Sequence, residues 1–196
     1  MTMSYIFLAL SWAIFYSLHT ILAASKVKKN LEVKLGNAYK WYRLFYSFLS
    51  FVLFLGIVIQ SLFIPNQVLL QKNPILLYIG YMLAALGTII AIKASKEISL
   101  SSFIGIDPGR LSKTGEKLII SGWYARMRHP LYSALILIFL GYFLVAGTIT
   151  SGVHLLSLLI YLPFGIYYEE QNLIRKFGKE YRDYQQKVPS VFPRFK

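Results

Sequence analysis

The residues with the most chemistry to offer sit in two short stretches about forty positions apart. The first is Gly122-Trp123-Tyr124-Ala125-Arg126-Met127-Arg128-His129-Pro130-Leu131-Tyr132. The second is Glu169-Glu170-Gln171-Asn172-Leu173-Ile174-Arg175-Lys176-Phe177-Gly178-Lys179-Glu180-Tyr181. Pro130 opens a long apolar run, and proline suits the first position of a helix, where an N–H would go unpaired and φ is already helical. The residue before a proline avoids the α region, which places His129 just outside the helix as its cap. Arg128 and His129 then stand beside free backbone N–H groups and the positive end of a helix dipole, a setting that draws an anion. The second stretch adds the adjacent carboxylates of Glu169 and Glu170 and a tyrosine. A ligand meeting both stretches should carry both signs of charge.

The elements that must bring them together belong to a membrane protein. The chain has 196 residues, 56% of them hydrophobic, with a mean hydropathy of +0.53; soluble domains average roughly 45–50%. Uncharged segments at about 3–24, 44–64, 75–92, 130–147 and 152–168 are long enough, or nearly so, to cross a bilayer. The fold class expected is therefore all-α and integral to the membrane, one domain over 1–196. It has five transmembrane helices, the last two a C-terminal hairpin, followed by an amphipathic C-terminal helix. The hairpin follows from the 39 residues between Pro130 and Tyr168, whose only ionisable basic or acidic side chain is His154. A straight helix of that length would overshoot, and Gly147-Thr148-Ile149-Thr150-Ser151-Gly152 offers the break. Both ends of the hairpin then return to one membrane face, so Arg128 and His129 meet Glu169 and Glu170. Pro163 is a candidate kink. Leu173, Phe177, Tyr181 and Tyr184 give the tail helix an apolar face, with Gly178 as its candidate break and Val188-Pro189 and Phe192-Pro193 as its end.

Charge sets the orientation. Every Lys and Arg except Lys72 falls in 26–43, in 93–128 or after Glu170, which are alternate connections. By the positive-inside rule these are cytoplasmic, with the N-terminus outside and the C-terminus and site inside. The net charge of +13 is thus topology and attraction to anionic lipid, not nucleic-acid binding. The first segment lacks a basic n-region and reads as a retained helix rather than a signal peptide. With no cysteine there is no thiol nucleophile or disulfide, and no spacing of ligands points to a metal. Gly80, Ala84 and Gly87 fall on one helix face and read as close packing. His19 is expected to hydrogen-bond near the interface, and His154 to lie at the outer interface. The connection 93–129 contains the turn signal Gly105-Ile106-Asp107-Pro108-Gly109, then Ser112-Lys113-Thr114-Gly115-Glu116. Its length suits function.

A ligand that meets these charges is S-adenosylmethionine, with a carboxylate for Arg128 and the helix N–H groups, two cationic centres for the glutamates and an adenine for the aromatics. Methyl transfer asks the protein mainly for in-line positioning and electrostatics. On residues alone this is one candidate among several, and an Arg128–Glu170 pair could be purely structural.

The pattern Gly122-x-Tyr124-x-x-x-Arg128-His129-Pro130-x-Tyr132, then Glu169-Glu170-x-x-Leu173-x-x-x-Phe177-Gly178-x-x-Tyr181, then Val188-Pro189, resembles the integral-membrane methyltransferase superfamily of isoprenylcysteine carboxyl methyltransferases and phospholipid methyltransferases. The likeness covers about 100–195. It implies a five-span helical fold and an S-adenosylmethionine pocket between the hairpin and the C-terminal helix. It also implies a lipophilic or small methyl acceptor arriving from the bilayer. Carried onto this sequence, Tyr124, Arg128, His129, Pro130, Leu131, Tyr132, Glu169 and Glu170 are the expected cofactor-binding residues. Arg128, Glu170 and Arg175 are the expected catalytic ones, Arg175 to orient an anionic substrate. Of the glutamates, Glu170 is expected to face the cofactor, with the other paired to a base such as Arg126 or Arg175. Where relatives often have a small residue after the motif tyrosine, this chain has Ser133 and Ala134. The N-terminal half, Ser17-Leu18-His19-Thr20-x-x-Ala23-Ala24-Ser25 and Trp41-Tyr42-Arg43-Leu44-Phe45-Tyr46, is similar to a branch with methanethiol S-methyltransferases and NnrU-type proteins. Some members there resemble zeta-carotene isomerase. That similarity supplies the alternative of a haem-binding isomerase or oxidoreductase with His19 and His129 as axial ligands. A purely structural membrane protein would leave both charged motifs unexplained.

Overall fold

The computed structural model describes residues 2–65, 67–98 and 117–193. The turn signals at 105–109 and 112–116 lie outside the described residues. The described chain forms seven α-helices: α1 Thr2–Ala23, α2 Ser25–Leu35, α3 Tyr42–Leu62, α4 Pro74–Glu97, α5 Pro130–Ala146, α6 Ile149–Phe177 and α7 Lys179–Lys187. Short 3-10 turns cover Gly36–Trp41 and Gly122–Ala125. Four helices are long and apolar enough to cross a membrane: α1, the Leu44–Leu62 part of α3, α4 and α6. The fifth apolar helix, α5, has 17 residues, or about 26 Å at 1.5 Å per residue. Side chains such as Phe48, Leu62, Met82 and Phe164 are more than half exposed. An apolar surface of that extent suits lipid and not water.

Local chemistry sets the helix ends. Asn73 caps α4 by accepting the Ile75 N–H at 2.8 Å, and Pro74 follows at its first position. The hairpin turn is tighter than the six-residue break expected from sequence. Gly147 ends α5 with φ +62°, a left-handed conformation that favours glycine. Thr148 at once starts α6 through a reciprocal capping box with Ser151. The outer connection is stitched to this turn, since Leu69 N–H donates to Gly147 O at 2.7 Å and Ile149 N–H to Gln67 O at 2.9 Å.

A second difference lies beyond Tyr168. The last apolar helix continues into the first part of the expected tail helix, and α6 runs unbroken past Pro163 to Phe177. Its 29 residues span about 43 Å, well over the ~30 Å hydrocarbon core of a bilayer. The excess of about 13 Å is nearly nine residues, the length of the stretch from Glu169 to Phe177 at the charged end of the helix. Gly178, with φ +56°, separates α6 from α7.

Helix α4 packs most extensively on α5. A Cβ on Gly141 would sit 2.5 Å from Gly80 O and 2.8 Å from Ala84 N, and one on Gly87 would sit 2.7 Å from Ala134 O. Backbone touches backbone here, the packing expected of small residues in a membrane helix. Helix α1 packs on α3 and α6. Its core is Leu8 and Trp12 with Ile57 and Ile64, flanked by Phe139 and Val153. Trp12 Nε1–H donates to His154 Nδ1 at 2.8 Å. His154 is thus buried at 6% exposure, which corrects the expectation of an interface residue: an indole donor from another helix satisfies it inside the bundle.

Candidate active site

Three elements meet at one end of the hairpin: the approach to α5, the projecting end of α6, and α7 with its tail. The approach is shaped first by Glu97 at the end of α4. Its carboxylate accepts from Ser121 Oγ at 2.7 Å, and a Cβ on Gly122 would meet Glu97 Oε1 at 2.5 Å. Gly122 also has φ +56°, so only glycine fits this turn without displacing the glutamate. The 3-10 turn that follows carries Tyr124, whose carbonyl accepts from Tyr184 Oη at 2.6 Å. Met127 is then buried at 1% exposure, which turns Arg128 and His129 toward α6.

Arg128 grips two elements at once. Its Nε and a terminal nitrogen lie 2.8 and 2.7 Å from Glu170 Oε1. Its other terminal nitrogen donates to Gln185 O at 3.2 Å and Val188 O at 2.5 Å. The tail continues as an extended strap over the start of α5. Arg128 N–H donates to Pro189 O at 2.8 Å, His129 N–H to Ser190 O at 3.0 Å, and Ser133 Oγ to Val191 O. Glu170 also accepts from Gln185 Nε2 at 2.9 Å.

His129 lies between the carboxylates. Its Nε2 is 3.0 Å from Glu170 Oε1 and its Nδ1 is 3.7 Å from Glu169 Oε2. Burial is the largest influence on the ring and disfavours its charge, but the hydrogen bonds and charges of Glu169 and Glu170 together outweigh it. The His129 pKa is raised, and the ring tends toward imidazolium. Tyr132 stacks on His129 with ring centres 5.5 Å apart. Glu169 is the more open carboxylate, with its side chain 46% exposed against 16% for Glu170. Its charge acts on the Tyr124 hydroxyl. Burial pushes the Tyr184 hydroxyl up to about 12 against the opposing charge of Arg128. Burial likewise raises Tyr124, with Glu169, Tyr184 and Glu97 adding to it. Both phenols remain donors at neutral pH.

Of the residues singled out in the sequence, Tyr124, Arg128, His129, Tyr132, Glu169 and Glu170 come together. Pro130 is the buried first residue of α5 with Leu131 half-buried beside it. Arg175 is exposed near the end of α6, and the contacts of the cluster do not include it. The glutamates divide otherwise than expected: Glu170 is held by Arg128, while Glu169 faces His129 rather than Arg126 or Arg175, Arg126 being turned onto the Trp123 ring at 5.6 Å. His19 pairs instead with Ser50 Oγ at 3.0 Å on α3. Its surroundings differ from those of His129, whose two ring nitrogens both face carboxylates. Sequence reasoning gave no site role to Gln185, to Ser133 or to Tyr184, which it read only as part of an apolar helix face. Gln185 and the strap carbonyls carry no chemical signal, and Ser133 showed only as a small residue. Tyr181 is 1% exposed, and its hydroxyl has no hydrogen-bond partner among the described residues.

Residues 75–180 match the family model for phospholipid methyltransferase. The protein named "Methanethiol S-methyltransferase 1" from Bradyrhizobium diazoefficiens is 41% identical over 73 residues, which are 36% of this chain and 24% of that protein. The chain thus aligns with about a quarter of the length of this curated relative. No solved structure matches. The family match covers more than half of the chain and contains every charged residue of the cluster, from Arg128 to Glu170. The chain belongs to the phospholipid methyltransferase family.

Proposed function

We propose that this protein is a membrane-embedded methyltransferase that uses S-adenosylmethionine and acts on a lipophilic or small acceptor. The observation that carries the reading is the meeting of Arg128, His129, Glu169 and Glu170 where α6 leaves the lipid, inside the family match. The residues present suit the cofactor. Its net charge is positive, and Glu169 offers a half-open carboxylate rimmed by Tyr124 and Tyr132. The buried, unpartnered Tyr181 hydroxyl, whose surroundings include Glu170 and Arg128, is a polar group left for a ligand to satisfy. When bound, the cofactor supplies an electrophilic methyl group on a sulfonium sulfur.

In this reading Glu169 holds the cationic or ribose groups, and Tyr124 and Tyr132 line the same side. His129, a donor fixed between the carboxylates, keeps Glu169 in place. In the first turn of α5, which Pro130 opens without a donor of its own, the N–H groups of Leu131 and Tyr132 would serve the cofactor's carboxylate. Arg128 works beside them: it orders Glu170 and the strap, and only a guanidinium can fork in this way. Glu170 acts through Arg128 and His129, and Arg175 stands ready for an anionic substrate. The acceptors compatible with the family are an isoprenylcysteine-type carboxylate, a thiol and a lipid amine. The relative's name adds methanethiol. The five apolar helices α1, α3, α4, α5 and α6 are the spans, with local thinning or tilt accommodating α5. The charge pattern supports a site on the cytoplasmic side with the N-terminus outside.

Calorimetry with S-adenosylmethionine and S-adenosylhomocysteine, followed by transfer of a labelled methyl group to the three acceptor classes, tests the reading. Saturable binding of the cofactor and labelled product from one class are expected. A protein that binds neither form of the cofactor is not this enzyme.

A further inference from the structure

Helix α6 carries a second line of side chains that leads from Glu169 into the span. Glu169, Gly165 and Tyr161 are spaced at successive intervals of four, so they lie on one face. A Cβ on Gly165 would be 3.0 Å from Cε1 and Cζ of Tyr161 and 3.2 Å from its hydroxyl oxygen. The ring therefore reaches forward along the helix toward Glu169, where helical side chains ordinarily lean back toward the N-terminus. Only the missing side chain at 165 leaves room for this pose. Two residues of α1 hold it. Thr20 Oγ1 is 3.1 Å from Tyr161 Oη, and the Tyr16 ring stacks on Tyr161 at 4.0 Å and 6°. Tyr16, Thr20, Tyr161 and Tyr132 are all half-buried. Polar groups at membrane depth are costly and tend to mark function.

We propose that this line, Tyr161 held by Thr20 and Tyr16 beside Gly165, receives the methyl acceptor, and that the acceptor arrives as a neutral nucleophile such as a thiol. The proposal rests on the methyl-transfer reading above. None of these side chains is cationic. The nearby cation, His129, is flanked by both carboxylates. A carboxylate acceptor here would have only the cofactor's cationic groups as counter-charge and would share them with Glu169, and an under-compensated buried charge is disfavoured. A thiol avoids that penalty. In the transfer, the new bond forms between the acceptor sulfur and the methyl carbon as the carbon–sulfonium bond breaks. That electron pair stays on the departing sulfur. The thiol proton leaves to water at the open Glu169 carboxylate, giving a thioether and neutral S-adenosylhomocysteine.

The test uses the full chain in nanodiscs with labelled S-adenosylmethionine and three probes, methanethiol, octanethiol and octanoate. A thiol should be methylated and octanoate should not. Tyr161→Phe should raise the KM for the thiol about three- to tenfold, the cost of one hydrogen bond, with unchanged cofactor affinity by calorimetry. Thr20→Val should move KM in the same direction by less. Independently of turnover, octyl methyl sulfide should raise the melting temperature of the wild type but not of Gly165→Val. Methylation of octanoate alone overturns the proposal, as does wild-type KM in Tyr161→Phe. So does cofactor binding without transfer to either thiol. Absence of cofactor binding in the wild type overturns the methyl-transfer reading itself, which separates the two failures.

Discussion

Arg128→Ala removes the group that joins three elements, and the contacts allow its cost to be worked through. The side chain is 12% exposed and Glu170 16%, so the pair is largely out of water. Removing one partner of a buried pair costs roughly 3–5 kcal/mol, mostly from stranding the other charge. Here Glu170 is not stranded. It keeps His129 at 3.0 Å and Gln185 at 2.9 Å, and the Gln185 and Val188 carbonyls turn to water once the strap lifts. The expected loss is therefore at or just below that range, about 2–3 kcal/mol. At roughly 2–4 °C per kcal/mol for a chain of this size, the melting temperature should fall by about 5–10 °C. Arg128→Lys should recover less than half, because one ammonium cannot hold Glu170 and two carbonyls together. The local signature is sharper than the melting temperature. The amides of Arg128 and His129 donate to Pro189 O and Ser190 O, so hydrogen exchange over residues 126–132 should speed up in the variant. Unchanged melting and unchanged exchange, alongside lost cofactor binding, would refute a strap-holding Arg128 and return it to direct contact with the cofactor.

Glu169→Gln should cut methyl transfer at least tenfold with melting unchanged, whereas Glu170→Gln should lower the melting temperature by several degrees; assay and thermal scan together check both. Gly141→Leu drives a side chain into the Gly80 carbonyl and the Ala84 amide, so it should cost about 1–3 kcal/mol or more, read as a lower melting temperature and looser α4 amides. His129 has a raised folded pKa, so its share of stability is full below the unfolded value near 6.5 and is lost as pH rises through the folded value. Melting scans between pH 6 and 9 should show that loss, shifted to lower pH in Glu170→Gln, where one anion beside Arg128, Glu169 and Tyr132 is gone. Single cysteines at the exposed Lys72 and Lys179 should react with impermeant reagent from opposite faces of the membrane, and labelling of both from outside would reverse the proposed orientation.

Periodicity and charge made the apolar helices legible, and Pro130 and Gly147 marked the ends of α5 because each has a conformation few residues replace. The start of α6 was harder to see. A capping box begins with ordinary Thr148 and Ser151, and here it sits inside a stretch whose glycines read as a longer loop. The continuity of α6 beyond Tyr168 was hidden for a related reason. A change from apolar to charged composition looks like a boundary, yet the backbone bonds of a helix are indifferent to it. The meeting of Arg128 with Glu170 followed from hairpin geometry alone. What that geometry left open was how the two glutamates divide their partners, since Arg126, Arg128 and Arg175 have equal charge and differ only in what else is near. Trp123 takes Arg126, and the exposed Arg175 lies beyond the contacts of the cluster. The strap was invisible because it binds through carbonyls, which every residue has.

The cluster is close to neutral when His129 is charged: Arg128 and His129 against Glu169 and Glu170. The two anions are not equivalent within that balance. Glu170 is committed on both oxygens, to Arg128 and His129 through one and to Gln185 through the other. Glu169 is engaged by His129 at only 3.7 Å and stays half open. A cation arriving at the site therefore meets Glu169 first, and its charge competes with the imidazolium for that carboxylate. The fixed pair, Arg128 with Glu170, keeps the strap and the end of α6 in register while this happens. On the proposed reading, one carboxylate serves architecture while its neighbour, 100° around the helix, remains open to a ligand.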